Sequence, residues 1–286
     1  MHIGVSLPVR EMEGDLTAIR DFAQAAEGLG LTHLRVPDQI MRPASGYLHE
    51  PMMLLSYLAA ITSTIELVPS VIILPVRQTV HFAKQAAELD DLSGGRVRLG
   101  IGVGGSEQEY QYLNMDFSNR GKRCDEQMVL LKKLWTEEDI DFQGSFHTIS
   151  GAGLNPLPKQ RPIPMWIGAR SIPSVPVVKR IARHSDGWFV LCSPEDLGQV
   201  RDAVFTEAEK TGRQPDEFGQ EAGVAVVGPR KDEWKSRVSN WNSMGLSHLC
   251  LRTLGGHLPV PQHLTTLERV IDEMPLDASE KNRAVT

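Results

Sequence analysis

Two spacings of apolar residues alternate along the chain. Short runs rich in Val, Ile and Leu read as strands, and apolar positions three and four apart read as helices. The pattern is sharpest from Glu66 to Gly105. There the β-branched run Leu67 to Leu74 is followed by a helical spacing of Val80, Ala83, Ala86, Ala87 and Leu89. Gly94–Gly95 stops that helix, and a second apolar run, Val97 to Val103, ends among three glycines. Strand, helix and strand predict a βαβ unit with parallel strands buried on both faces.

The same alternation extends to both sides. Strands are predicted at Ile3–Leu7, His33–Val36, Met165–Ala169, Gly187–Leu191, Ala222–Val227 and Ser247–Leu251. Asp15 is placed to cap a helix that turns Ile19, Phe22, Ala26 and Leu29 to one face. Further helices are expected at Pro51–Ile61, Arg120–Trp135, Val175–His184, Leu197–Lys210, Glu233–Trp241 and Gln262–Glu273. Ile140 to Ile149, with Gly144, reads as a short hairpin. Gly151 to Pro164 holds four prolines and reads as a long loop rather than a linker, because strand and helix resume at once. The last dozen residues are polar and are expected to fray. Eight strands alternating with roughly eight helices predict a closed (β/α)8 TIM barrel, one domain over residues 1–286. The competing architecture is an open doubly wound sheet. GIGVGG invites it, but an acidic residue some 20 residues on does not complete the dinucleotide pattern.

Composition narrows the function classes. A formal net charge of −6 argues against nucleic acid and anionic membrane surfaces as partners. No apolar run reaches the roughly 18 residues of a membrane span, and nothing before Ile3 resembles a secretion leader. Cys124, Cys192 and Cys250 lie far apart without metal-type spacing, as expected for free thiols in a reducing cytoplasm.

In a barrel of this kind the active site lies at the C-terminal ends of the strands. That rule nominates Pro8, Asp38–Gln39, Ser70 to Leu74, Gly102 to Gly105, Gly168 to Ser171, Leu191 to Ser193 and Arg252. Gly102, Val103 and Gly104 let a backbone approach a ligand closely, or simply make a tight turn. Gly168-Ala169-Arg170-Ser171 precedes a helix that Ser174 is placed to cap. A helix start offers free N–H groups to an anion, to which Arg170 and Ser171 would add. An ordinary turn with a solvated arginine fits the same residues. No His-x-His pair or carboxylate cluster marks a metal site. His49 and His147 sit in loops that could face a pocket, whereas His33, His184 and His248 fall at element edges away from the active face.

A resemblance becomes specific in the organising stretch. LPVR, AKQAAELDDLSGGRVRLG and GVG recur in the order seen in the luciferase-like monooxygenase superfamily. From Ile3 to about Trp188 the chain is most similar to its coenzyme F420-dependent oxidoreductase branch. The resemblance implies a bacterial-luciferase-like TIM barrel that binds coenzyme F420, with FMN as the alternative. It implies hydride transfer to or from a small organic substrate; the alternatives are an FMN-dependent monooxygenase and a non-catalytic flavin-binding barrel. Carried onto this sequence, the cofactor-binding residues are Asp38, Ser70, Val71, Gly102, Val103, Gly104, Gly168, Ala169, Arg170, Ser171 and Ser174. A non-proline cis peptide is implied at Ser70–Val71. Arg170, Arg77 and Arg42 are the cations expected nearest the anionic F420 tail. Relatives are often dimers, which makes a homodimer possible. Two positions depart from the family's pattern. Gln39 stands where many deazaflavin relatives have histidine, so its role becomes hydrogen-bond positioning of ring or substrate. Gly105 stands where the family's sugar-phosphate dehydrogenases carry a glutamate acid, which separates this chain from them.

Overall fold

Eight parallel staves close into a ring, and the third of them is broken. The computed structural model describes residues 1–41, 47–169 and 171–276. Arg42, Arg170 and the polar C-terminal residues 277–286 lie outside the described residues. In chain order the strands are β1 (His2–Ser6), β2 (His33–Val36), β3 (Glu66–Pro69), β4 (Ile72–Ile73), β5 (Leu99–Gly102), a hairpin of β6 (Ile140–Gln143) and β7 (Thr148–Ala152), β8 (Met165–Gly168), β9 (Gly187–Val190), β10 (Gly219–Ala225) and β11 (His248–Arg252). The sheet runs β3-β2-β1-β11-β10-β9-β8-β5-β4, and every pairing in it is parallel. β3 and β4 are two halves of one stave, and a parallel bridge from Leu67 to Val97 joins the ends of the series. The architecture is the (β/α)8 barrel expected from the alternation.

The helices are α1 (Leu16–Gly28), α2 (Pro51–Ile61), α3 (Thr79–Ser93), α4 (Glu107–Tyr112), α5 (Arg120–Thr136), α6 (Val175–His184), α7 (Leu197–Glu209), α8 (Trp234–Ser243) and α9 (Val260–Asp272). Local chemistry sets several of their ends. Asp15 Oδ1 accepts from the amides of Thr17 and Ala18 at 2.9 and 3.0 Å. Glu50 accepts from Met53 N at 2.8 Å to start α2. Gly94, at φ +80°, closes α3 in the left-handed conformation glycine tolerates best. None of the described helices is long and apolar enough to cross a membrane.

Two expectations change. The run Leu67 to Leu74 is not one strand: it breaks at the Ser70–Val71 peptide, which is cis. A 3-10 turn at Leu74–Val76 follows the short β4. The loop after Gly105 contains α4, started by Ser106 Oγ accepting from Glu109 N at 3.3 Å.

The staves are buried on both faces, but the two faces differ in chemistry. Leu34, Val36, Ala222, Val224, Leu249 and Leu251 join the main apolar core. Facing the axis are His33 and Arg35, Glu66 and Val68, Arg98, Trp166, Phe189, Glu221 and His248. Their contacts run between staves that are not neighbours, such as Arg35 to Glu221 at 2.8 Å, so they cross the interior. Val68, Trp166 and Phe189, with Val71, form a small separate apolar cluster.

Candidate active site

A cavity of about 740 Å3 opens at the C-terminal ends of the staves. It falls within the roughly 300–1,000 Å3 usual for small-molecule sites. Val71 builds one wall, wedged between the ends of β5 and β8. A Cβ on Gly102 would lie 2.5 Å from Val71 Cγ2, and one on Gly168 would lie 2.6 Å from Val71 Cγ1. The glycines therefore admit the bulged third stave, which presents Val71 to the cavity. Gly104 is at φ +67°, where a Cβ would meet Ile73 Cγ2 at 2.8 Å. Val103 lines the cavity, and its carbonyl accepts from the Tyr110 hydroxyl at 2.6 Å. Ser70 also lines it and accepts a hydrogen bond from Arg35 Nη2.

Asp38 reaches the cavity with its carboxylate already engaged. Oδ2 accepts from Ile73 N at 2.8 Å and from Arg77 Nη1 at 2.7 Å, and Oδ1 accepts from Arg77 Nη2 at 3.2 Å. The pair fastens the end of β2 to the second half of the broken stave. Arg77 also donates to Ile73 O and meets Glu50, and it does not line the cavity. Gln39 lines the cavity with its Oε1 accepting from Arg10 Nη2 at 3.3 Å.

Gly168, Ala169 and Ser174 also line the cavity. Ser174 occupies the N-cap of α6, but its side chain makes no capping bond, contrary to expectation. Its hydroxyl is left for other partners, beside the start of a helix. Ser171, at φ 46°, is not among the lining residues. Arg170 lies outside the described residues. His49 and His147 do not line the cavity. His147 is instead fixed between Thr79 Oγ1 at 2.6 Å and Glu126 Oε1 at 2.8 Å.

Glu109 was not anticipated. Its buried carboxylate lines the cavity, and Oε1 accepts from Ile40 N and Met41 N at 2.9 and 3.2 Å. Ser106-Glu107-Gln108-Glu109 has the S-x-x-E form of a helix start, which was the available signal.

The charged network under the cavity was also missed. Glu221 receives Arg35 Nη1 at 2.8 Å and Arg98 Nη1 at 2.9 Å, and His33 Nε2 stands 3.4 Å away. Burial alone would raise the Glu221 carboxyl, but His33, Arg35 and Arg98 outweigh it and hold it well below the usual carboxylate range. Burial likewise pulls His33 down, yet the Glu221 charge lifts it to about 9. His248 is pushed down to about 2, by burial and then by the Arg98 and His33 charges. His33 is therefore charged near neutrality and His248 is not. Arg98 stacks over Trp166 at 4.1 Å and Arg35 over Phe189 at 4.6 Å.

These residues fit a planar ring carrying a phosphate. Val71, Val103, Ile172 and Leu191 offer apolar surface, and the uncapped Ser174 marks a polar end at a helix start.

Comparison with known proteins places this fold among its relatives. An uncharacterised Mycobacterium tuberculosis protein is 31% identical over 70% of this chain and 74% of its own. An F420-dependent glucose-6-phosphate dehydrogenase of Gordonia bronchialis is 27% identical over 91% of this chain and 77% of its own. Among solved structures, an F420-dependent secondary alcohol dehydrogenase superposes with a TM-score of 0.79 at 15% identity, covering 96% of this chain and 99% of that one. The oxygenating constituent of 3,6-diketocamphane monooxygenase from Pseudomonas putida, solved with FMN, gives 0.65 at 16% identity, covering 86% and 76%. At those identities the two structures speak to the fold alone. The family model described as luciferase-like monooxygenase matches residues 1–249, and the chain belongs to that family of oxidoreductases.

Proposed function

We propose that this protein is a coenzyme F420-dependent oxidoreductase that moves a hydride to or from a small organic substrate. The observation that carries the reading is the cavity built on Val71 between Gly102 and Gly168, with Ser174 at its polar end. The choice of F420 over FMN is supported by the Gordonia dehydrogenase, which is alike over 91% of the chain. When bound, F420 supplies a ring carbon that gives or takes a hydride, so the protein's task is binding, orientation and proton handling.

Each lining residue has a part in that task. Val71 and the neighbouring apolar side chains support a ring. The Ser174 hydroxyl and the Val175 amide take the phosphate, since Pro176 has no N–H and the Val177 and Val178 amides donate to Ser174 O. Gln39 cannot exchange a proton near neutral pH. Its oxygen is occupied by Arg10, so its amide nitrogen is the group left to donate toward ring or substrate. Asp38 is fully engaged with Arg77 and Ile73. Glu109 is the other carboxylate among the described lining residues, and we assign to it the proton that accompanies the hydride.

The test is a paired fluorescence titration of cofactor-free protein with F420 and with FMN, followed by turnover with enones, imines and alcohols. Tighter binding of F420 and its consumption are expected. Tighter binding of FMN with oxygen uptake would replace the cofactor assignment, and cofactor binding without turnover would leave a non-catalytic barrel.

A further inference from the structure

A second, smaller cavity of about 230 Å3 adjoins the first, sharing Arg10, Arg35 and Ser70 with it. Its remaining polar lining is Ser6 and Arg252. Three arginines thus line one small space, and no carboxylate residue does among the described lining residues. The rest of the wall is apolar, with Leu7, Val9, Val36 and Leu254.

The arginines are only partly neutralised. Arg35 meets Glu221, but that single carboxylate also serves Arg98 and His33. The Nε of Arg35 is buried with no partner. Arg10 and Arg252 make no ion pair with any described residue; Arg10 donates only to the neutral Gln39. The nearby acid Glu11 accepts from Gly255 N at 2.8 Å and faces His263 at 3.0 Å. Beneath the smaller cavity, Arg35, Arg98 and His33 share Glu66 and Glu221, while Asp38 and Glu109 are the carboxylates among the described residues lining the larger one. A cationic pocket with a dry wall concentrates anions, and a guanidinium matches the paired oxygens of an oxyanion.

We infer that the substrate is a small anion, a carboxylate or a phosphate monoester with a compact apolar body, whose charged group is held by Arg35 and Arg252 beside Ser70. This deepens the oxidoreductase reading and rests on it for the chemistry. The oxyanion lies in the smaller cavity, and the reacting carbon extends past Ser70 toward the larger one. Arg10 reaches both the anion and Gln39, so it links substrate charge to Gln39 orientation. The pocket is smaller than the roughly 300–1,000 Å3 of typical ligand sites, which selects short molecules.

The test is ligand-observed NMR on the full chain with three probes of similar size: benzoate, phenyl phosphate and neutral benzyl alcohol. One of the two anions binds at least about tenfold more tightly than benzyl alcohol, and the tighter one identifies the oxyanion. Its affinity drops about tenfold in Arg252→Met and partly returns in Arg252→Lys, because lysine keeps the charge and loses the fork. Arg10→Met serves as a second variant should Arg252→Met fold poorly. Benzyl alcohol binding as well as the anions, or anion affinity unchanged in both methionine variants, overturns the inference. F420 titrated into the same preparations keeps the two proposals apart. F420 bound with the anions ignored removes this inference alone. Anions bound through Arg252 with F420 ignored removes the cofactor assignment alone.

Discussion

Val71 fills the space that a side chain on Gly168 would need, its Cγ1 standing 2.6 Å from where that Cβ would be. Gly168→Ala therefore pushes the bulged stave into the cavity. The expected cost is about 1–3 kcal/mol of stability, as for other overpacked sites, together with weakened F420 binding. Val71→Ala in the same chain gives the methyl room and recovers both. Denaturation midpoints and F420 titrations of the wild type, the two single variants and the double variant check this. Additive effects would show that the two residues do not share the space.

Asp38 and Arg77 predict a contrast between two carboxylates. The Asp38 side chain is 1% exposed, and Glu50, the second acid on Arg77, is 48% exposed. Asp38→Asn removes the buried partner and is expected to cost about 3 kcal/mol. Glu50→Gln removes the solvated one and is expected to cost under about 1 kcal/mol. Urea unfolding of both variants at neutral pH measures the difference. Equal costs would mean that Arg77 is held by its other contacts.

The interior charges predict how stability follows pH. His33 rises from its ordinary 6.5 to about 9, so its charged form favours the fold. That contribution is complete below the ordinary value and disappears as pH climbs through about 9. The unfolding free energy should fall by up to about 3 kcal/mol across that window. His33→Gln should lack this part of the slope. Parallel slopes for the two proteins would dismiss the Glu221 contact as its source.

Glu109→Gln preserves an acceptor for Ile40 N and Met41 N but cannot carry a proton. Turnover should drop about 100-fold or more, while F420 affinity stays close to that of the wild type. Stopped-flow and steady-state rates with a saturating substrate separate the two quantities. Full activity in Glu109→Gln would move the proton to another group.

The barrel was legible because each stave is a short Val, Ile or Leu run set between helical spacings, as at His33–Val36 before Pro51–Ile61. The lining of the ring was harder to see, although it was written at period two. His33 and Arg35 flank Leu34, and His248, Cys250 and Arg252 alternate with Leu249 and Leu251. In an open sheet such alternation marks a face toward water. In a closed ring it turns toward the axis, and only closure tells the two apart. The break in the third stave had a signal as well. Pro69 has no amide to donate in mid-strand, yet the surrounding Val and Ile residues read as continuous. The candidate site divides along the same line. Strand ends placed Gln39, Ser70, Val71, Gly102 and Gly168 around one cavity, because the rule depends on topology alone. The engagement of Asp38 with Arg77 depends on how far two side chains reach, which no spacing encodes.

The broken stave has a mechanical consequence. On one side of it, among the described residues, the ring is joined by Leu67 meeting Val97, and by Ile72 and Ile73 meeting Ile101 and Gly102. Opposite, β1 and β11 zip together over five consecutive pairs from His2↔His248 to Ser6↔Arg252. This joint is interrupted between Leu67 and Ile72, and the interruption borders the ligand cavity at Val71. A molecule seated there would act as a buckle, and the amides of Ile72 and Ile73 would report its fastening by slower hydrogen exchange while those of β11 barely respond.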